Sequence, residues 1–148
     1  MSDKGSIIFG GRYELKKRIA RGGMAEVFLG EDQLLGRPVA VKVLFPEFAS
    51  DPNFVERFRR EAQAAANLSH PNIVGVFDWG KERNTYYIVM EYVEGRTLSQ
   101  IIRKEGPLPT ARIAEIADAI ASAVGFAHKG NVVHRDMKPG NVIISDTG

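Results

Sequence analysis

The stretch that most constrains this chain is Val132-Val133-His134-Arg135-Asp136-Met137-Lys138-Pro139-Gly140-Asn141, followed directly by the apolar run Val142-Ile143-Ile144. It crowds a carboxylate, two cations and a carboxamide into a loop between two short β-favouring runs. Such an arrangement suits the placing of polar tips and not the filling of a core. Whatever the chain folds into has to present this loop to something charged.

Each position has a chemistry. Asp136 can accept a proton from a hydroxyl or orient it by hydrogen bonding. Lys138 supplies a point charge for a group carrying excess negative charge. Asn141 offers a hard oxygen suited to a magnesium ion that keeps most of its waters. Together they imply phosphoryl transfer.

The pattern His134-Arg135-Asp136-x-Lys138-Pro139-x-Asn141 resembles the catalytic loop of the eukaryotic-type serine/threonine protein kinases, the lysine two after the aspartate being the serine/threonine form. The resemblance implies an α+β, protein-kinase-like fold. It has a five-stranded antiparallel N-lobe with one main helix, then the first helices and catalytic loop of an incomplete C-lobe. It divides the chain into a flexible lead-in (1–11), an N-lobe (12–90), a hinge (91–95) and a partial C-lobe (96–148). It implies ATP and Mg2+ as cofactors and protein Ser/Thr hydroxyls as acceptors, with a kinase pair as a further partner.

Strand-like patterning runs over Tyr13 to Ile19, Glu26 to Glu31 and Pro38 to Leu44, with turns at Gly22-Gly23 and Leu35-Gly36, which predicts an antiparallel meander. The first turn stands where a kinase carries its glycine-rich flap over the nucleotide phosphates. Glycine lets backbone N–H groups approach phosphate oxygens without a Cβ in the way. Gly22 and Val27 match the family's pattern, whereas Ala20 and Ala25 replace its first and third glycines.

In Val39-Ala40-Val41-Lys42, strand alternation turns Ala40 and Lys42 to one face. The resemblance lays Ala40 against adenine and gives Lys42 the α and β phosphates. Ser50-Asp51-Pro52 then starts a helix to about Asn67, with an apolar stripe that includes Phe54, Phe58, Ala65 and Leu68. Glu61 falls within that stripe, so it needs a partner, because burying a carboxylate alone costs several kcal/mol. Lys42 is the family's partner for it, and Arg57 the local alternative.

Further strands are expected from Ile73 through Trp79 and over Thr85 to Met90. Met90 resembles the gatekeeper behind the adenine site, and the main chain at Glu91 and Val93 would bond adenine's edge. Ile19, Ala20, Gly22, Gly23, Val27 and Ala40 on one side and Ile143 on the other would enclose the nucleotide, with Asn141 the magnesium ligand. Thr97 predicts the cap of a short helix closed by Gly106, and Thr110 that of a long core helix ending at Gly130 in a left-handed cap.

Composition closes off other classes. A net charge of +2, spread along 148 residues, gives no field that points to nucleic acid or an anionic membrane. The absence of cysteine excludes disulfides and thiolate metal sites. No apolar stretch reaches the length of a membrane span or forms a signal peptide. The expected location is the cytoplasm, as a soluble chain or the cytoplasmic part of a longer membrane-anchored kinase.

The run Gly22-Gly23-Met24 with Phe58-Arg59-Arg60-Glu61-Ala62 gives the resemblance a bacterial flavour. The family's Asp-Phe-Gly magnesium motif belongs after Ile144 and is absent from these residues, which implies a fragment inactive by itself. A non-catalytic nucleotide-binding or kinase-interaction module is the alternative. A small-molecule phosphotransferase is a third reading, disfavoured by Lys138-Pro139.

Overall fold

A computed structural model describes residues 7–132 and 139–146. The described chain forms two compact units, one of the residues through Asn67 with Gly75–Tyr92, the other of Leu68–Val74 with the residues from Val93 onward.

The first unit is an antiparallel sheet of β1 (Ile7–Phe9), β2 (Tyr13–Arg21), β3 (Ala25–Asp32), β4 (Arg37–Leu44), β5 (Val76–Glu82) and β6 (Thr85–Glu91), in the order β1-β2-β3-β4-β6-β5. Five strands were expected; the sixth is β1, drawn from the supposed lead-in. Ile7, Ile8 and Phe9 pair with Leu15, Glu14 and Tyr13. Two left-handed glycines, Gly10 and Gly11 (φ 63° and 65°), make the reversal possible, and a Cβ on Gly10 would strike the Tyr87 hydroxyl. Phe9, 4% exposed, packs 5.1 Å from the Tyr87 ring, and that burial secures the strand.

Strand alternation gives the sheet two apolar faces. One carries Phe9, Tyr13, Val39, Val41, Val43, Tyr87 and Val89. The other carries Ala25, Leu44 and Ile88, covered by Phe58 and Ala62 of α2 (Pro52–Ala66), with the short α1 (Pro46–Ala49) alongside. The α2 start follows the sequence signals: Asp51 accepts a hydrogen bond from Asn53 N–H and Pro52 opens the first turn. The short α1 carries only half of that signal: Pro46 opens its first turn, and no side chain caps it.

In the second unit, β7 (Gly95–Thr97) pairs antiparallel with β8 (Ile143–Ser145), and α3 (Leu98–Glu105) and α4 (Thr110–Lys129) follow β7. Thr97 Oγ1 accepts from Gln100 N–H while Gln100 Oε1 accepts from Thr97 N–H, a reciprocal cap. Thr110 does not cap α4. Pro109 holds that position, with its fixed φ of −58° leading into the helix, and no side chain bonds there. Gly130 is not left-handed either; its φ is −90°, and Asn131 takes the positive φ of 64°.

The expected core role of α4 holds only toward its C-terminal end. Ala123 and Ala127 are buried, while Ile113 is 51% exposed. Packing concentrates where Leu68–Val74 meets the helix: His70 lies 5.2 Å from the Phe126 ring and 3.1 Å from Ser122 Oγ.

Candidate functional site

The residues singled out on the first unit converge on one sheet face. Directly opposed residues of antiparallel strands project the same way. Ala20 faces Val27, Val27 faces Lys42, and Lys42 faces Ile88; Ala40 faces Met90. Ala20, Val27, Ala40, Lys42 and Met90 therefore share a face, the one onto which α2 packs. Ile19 is the extra residue of a bulge between Arg18 and Ala20 and is 42% exposed.

Lys42 Nζ lies 3.5 Å from Glu61 Oε1. The pair does not form as the stripe argument required, because the Glu61 side chain is 62% exposed. The buried stripe of α2 is Phe58 and Ala62, and Glu61 stands on its flank. Phe58 also supports the lysine, whose Nζ is 6.0 Å from the ring centroid.

Gly22 and Gly23 form the β2–β3 turn, where Gly22 N–H donates to the Ala25 carbonyl at 2.8 Å. A Cβ on Gly23 would meet nothing within 4 Å. Neither glycine has a positive φ, so the turn uses them for openness and not for handedness. At the end of β6, Glu91 N–H donates to the Gly75 carbonyl and its Oε1 accepts from Gly75 N–H, so that N–H is committed.

Val93, Asn141 and Ile143 belong to the second unit. Asn141 closes a 3-10 turn, Pro139–Asn141, and Ile143, 43% exposed, opens β8 opposite Thr97. Asp136 and Lys138, with His134 and Arg135, lie outside the described residues. Among the described residues no three His, Asp or Glu side chains form a metal-holding group.

Two supports beneath the sheet carried no sequence signal. Arg12 Nε and Nη2 donate to Asp32 Oδ1 and Oδ2 at 2.9 and 2.8 Å, and Leu34 and Leu35 N–H donate to Oδ1 as well. The Arg12 hydrogen bonds hold the Asp32 carboxyl at about 2, below its ordinary 3.8, with the two backbone donors adding to the effect. Tyr13 OH donates to Asp78 Oδ2 at 2.6 Å, and burial followed by that bond raises the phenol's pKa. Spacing alone does not bring residues so far apart into register.

The model of the protein kinase domain matches residues 13–148. The chain belongs to the protein kinase family. Over 138 residues, 93% of it, this kinase-family chain is 50% identical to the serine/threonine-protein kinase PrkC of Bacillus subtilis, spanning 21% of that protein. It is 44% identical over 153 aligned positions to PknA of Mycobacterium tuberculosis, spanning all of this chain and 36% of that one. The crystal structure of the M. tuberculosis PknI kinase domain superposes with a TM-score of 0.82 at 34% identity, over 96% of this chain and 58% of that domain. PpkA-294, at 23% identity and a TM-score of 0.86, shares the fold. Among the described residues of the kinase-family chain, no helix is long and apolar enough to cross a membrane.

Proposed function

We propose that the chain is the nucleotide-gripping part of an ATP-dependent serine/threonine protein kinase. The observation that carries this reading is the Lys42–Glu61 pair, 3.5 Å apart, on the face that also bears Val27, Ala40 and Met90. A cation aimed by a carboxylate beside a small, apolar patch fits a triphosphate joined to a flat base.

In this reading Ala20, Val27, Ala40 and Met90 receive adenine and its sugar, the main chain at Glu91 and Val93 bonds the base edge, and Ile143 adds apolar cover. Lys42 holds the α and β phosphates, and Gly22, its own N–H given to the Ala25 carbonyl, shapes the turn from which the Gly23 N–H approaches them. Asp136 orients the acceptor hydroxyl and takes its proton. The hydroxyl oxygen bonds to the γ-phosphorus as the bond to the β–γ bridging oxygen breaks, releasing ADP. Lys138 offsets the negative charge of the transferring group. Asn141, a neutral oxygen donor, suits Mg2+ held largely by water and phosphate oxygens; that ion supplies charge neutralisation. Protein substrates, a cytoplasmic setting and self-association as a kinase pair belong to the same proposal.

The test compares the 148-residue chain with a longer form running through an Asp-Phe-Gly segment, each given ATP, Mg2+ and a protein substrate. Transfer by the longer form, lost in Lys42→Met and in Asp136→Asn, is expected, with ATP binding retained in Asp136→Asn. Collapse of ATP affinity in Asp136→Asn overturns that residue's role. Binding without transfer in the longer form makes the chain a non-catalytic module. Transfer to small alcohols and not to protein makes it a small-molecule phosphotransferase.

A further inference from the structure

The glycine turn between β2 and β3 has almost no packing of its own, yet it is tied down from outside. Phe45, just past β4, donates its N–H to the Met24 carbonyl at 2.8 Å. The Arg21 guanidinium carbon lies 4.9 Å from the centroid of the Phe45 ring. Arg21 is the last residue of β2 and Met24 immediately precedes β3, so both ends of the turn meet on one residue. Met24, like Phe48 and Ala49 of α1, packs against the buried cluster that contains Leu44 and Phe58. Phe45 is itself fixed, because its carbonyl accepts from Phe48 and Ala49 N–H at 2.9 and 3.2 Å and Pro46 follows it.

We propose that Phe45 and Arg21 are positioning residues that latch the glycine turn, and that the latch sets how fast bound nucleotide leaves. The proposal rests on the reading that ATP binds the Lys42 face. Glycines free to sample many conformations give a turn no preferred place, and the contacts at Phe45 supply one. A turn that covers a ligand has to swing aside for release, so whatever holds it slows that step. The Arg21–Phe45 contact is partly exposed, and a contact of that kind is worth roughly 2- to 5-fold in a rate.

The experiment follows release of a fluorescent ADP analogue from the full chain by stopped flow, and amide exchange at Phe45 without nucleotide. Arg21→Gln and Phe45→Ala each speed release about 2- to 5-fold. The double variant is no faster than Phe45→Ala, while Arg21→Lys and Phe45→Tyr restore the parent rate. Arg21→Gln also speeds exchange of the Phe45 amide. Unchanged exchange and unchanged release in Arg21→Gln overturn the latch; faster exchange with unchanged release overturns its role in nucleotide retention. A parent chain that binds no nucleotide overturns the underlying reading of the Lys42 face, whereas the exchange measurement tests the latch independently of it.

Discussion

Lys42 meets Glu61 at 3.5 Å although the glutamate side chain is 62% exposed and the lysine 33%. The contact is therefore made in the presence of water, where an ion pair contributes about 0–1 kcal/mol to stability. What fixes its geometry is underneath: α2 is seated on the sheet by Phe58 and Ala62, and Lys42 rises past the Phe58 ring. The pair orients a cation and adds little to holding the fold.

That division predicts how Glu61→Gln behaves. Its urea midpoint should correspond to a change within about 1 kcal/mol of the parent. Phosphoryl transfer in the longer form should fall about tenfold or more, each factor of ten being ~1.4 kcal/mol of barrier. Loss of folding in parallel with activity would make the pair structural.

Beneath the sheet the order is reversed, since Asp32 is 1% exposed and Arg12 meets both its oxygens. The folded carboxyl sits at about 2 against an ordinary 3.8. With the folded value lower, the unfolded chain binds the proton more readily. The contribution is thus fully present above about pH 4 and is lost as pH falls from there through about 2. Arg12→Ala should lower the urea midpoint at pH 7, and the gap to the parent should close across that same window. A gap independent of pH would assign the loss to packing of the arginine stem.

Phe58 joins stability to the site. It is 2% exposed, lies 5.5 Å from the Trp79 ring and supports Lys42. Phe58→Ala should cost roughly 3–5 kcal/mol, and Phe58→Leu less. Trp79 is the chain's single tryptophan, so its emission reports the loosened α2 contact directly. The Leu variant, still folded, should bind ATP more weakly than the parent if Phe58 aims the lysine.

Local signals in the sequence were legible where the cause was local. Alternation put Ala40 and Lys42 on one face, Asp51-Pro52 marked the start of α2, and Thr97 marked the cap of α3, to which the structure adds the reciprocal bond from Gln100. Readings that depended on distant partners fared less well. Ile7–Phe9 looked like loose lead-in because nothing nearby shows that Phe9 will bury against Tyr87. Glu61 looked inward because helical spacing gives a stripe without its width, and the sheet uses only the Phe58 and Ala62 side of it. Pro109 displaced Thr110 as the first residue of the α4 entry because a fixed φ competes with a capping hydroxyl.

The β7–β8 ladder of the second unit bears on two of the proposed ligand residues, Asn141 and Ile143. Gly95 lies opposite Ser145, and a Cβ there would overlap the Ile144 carbonyl. Around it Asp146 N–H donates to the Glu94 carbonyl at 2.9 Å and Leu98 N–H to the Val142 carbonyl at 2.7 Å. Gly95→Ala therefore cannot keep the ladder without shifting β8, which begins at Ile143, two residues after Asn141 ends the turn. Amide exchange at Leu98 and Asp146 should rise by about tenfold or more, each tenfold being ~1.4 kcal/mol. Exchange in β3 and β4 should stay at the parent level, since those strands pair with none of these residues. ATP affinity should drop along with the ladder's protection. A variant whose ladder loosens while ATP binds as tightly as before would remove Asn141 and Ile143 from the nucleotide site and leave it to the Lys42 face alone.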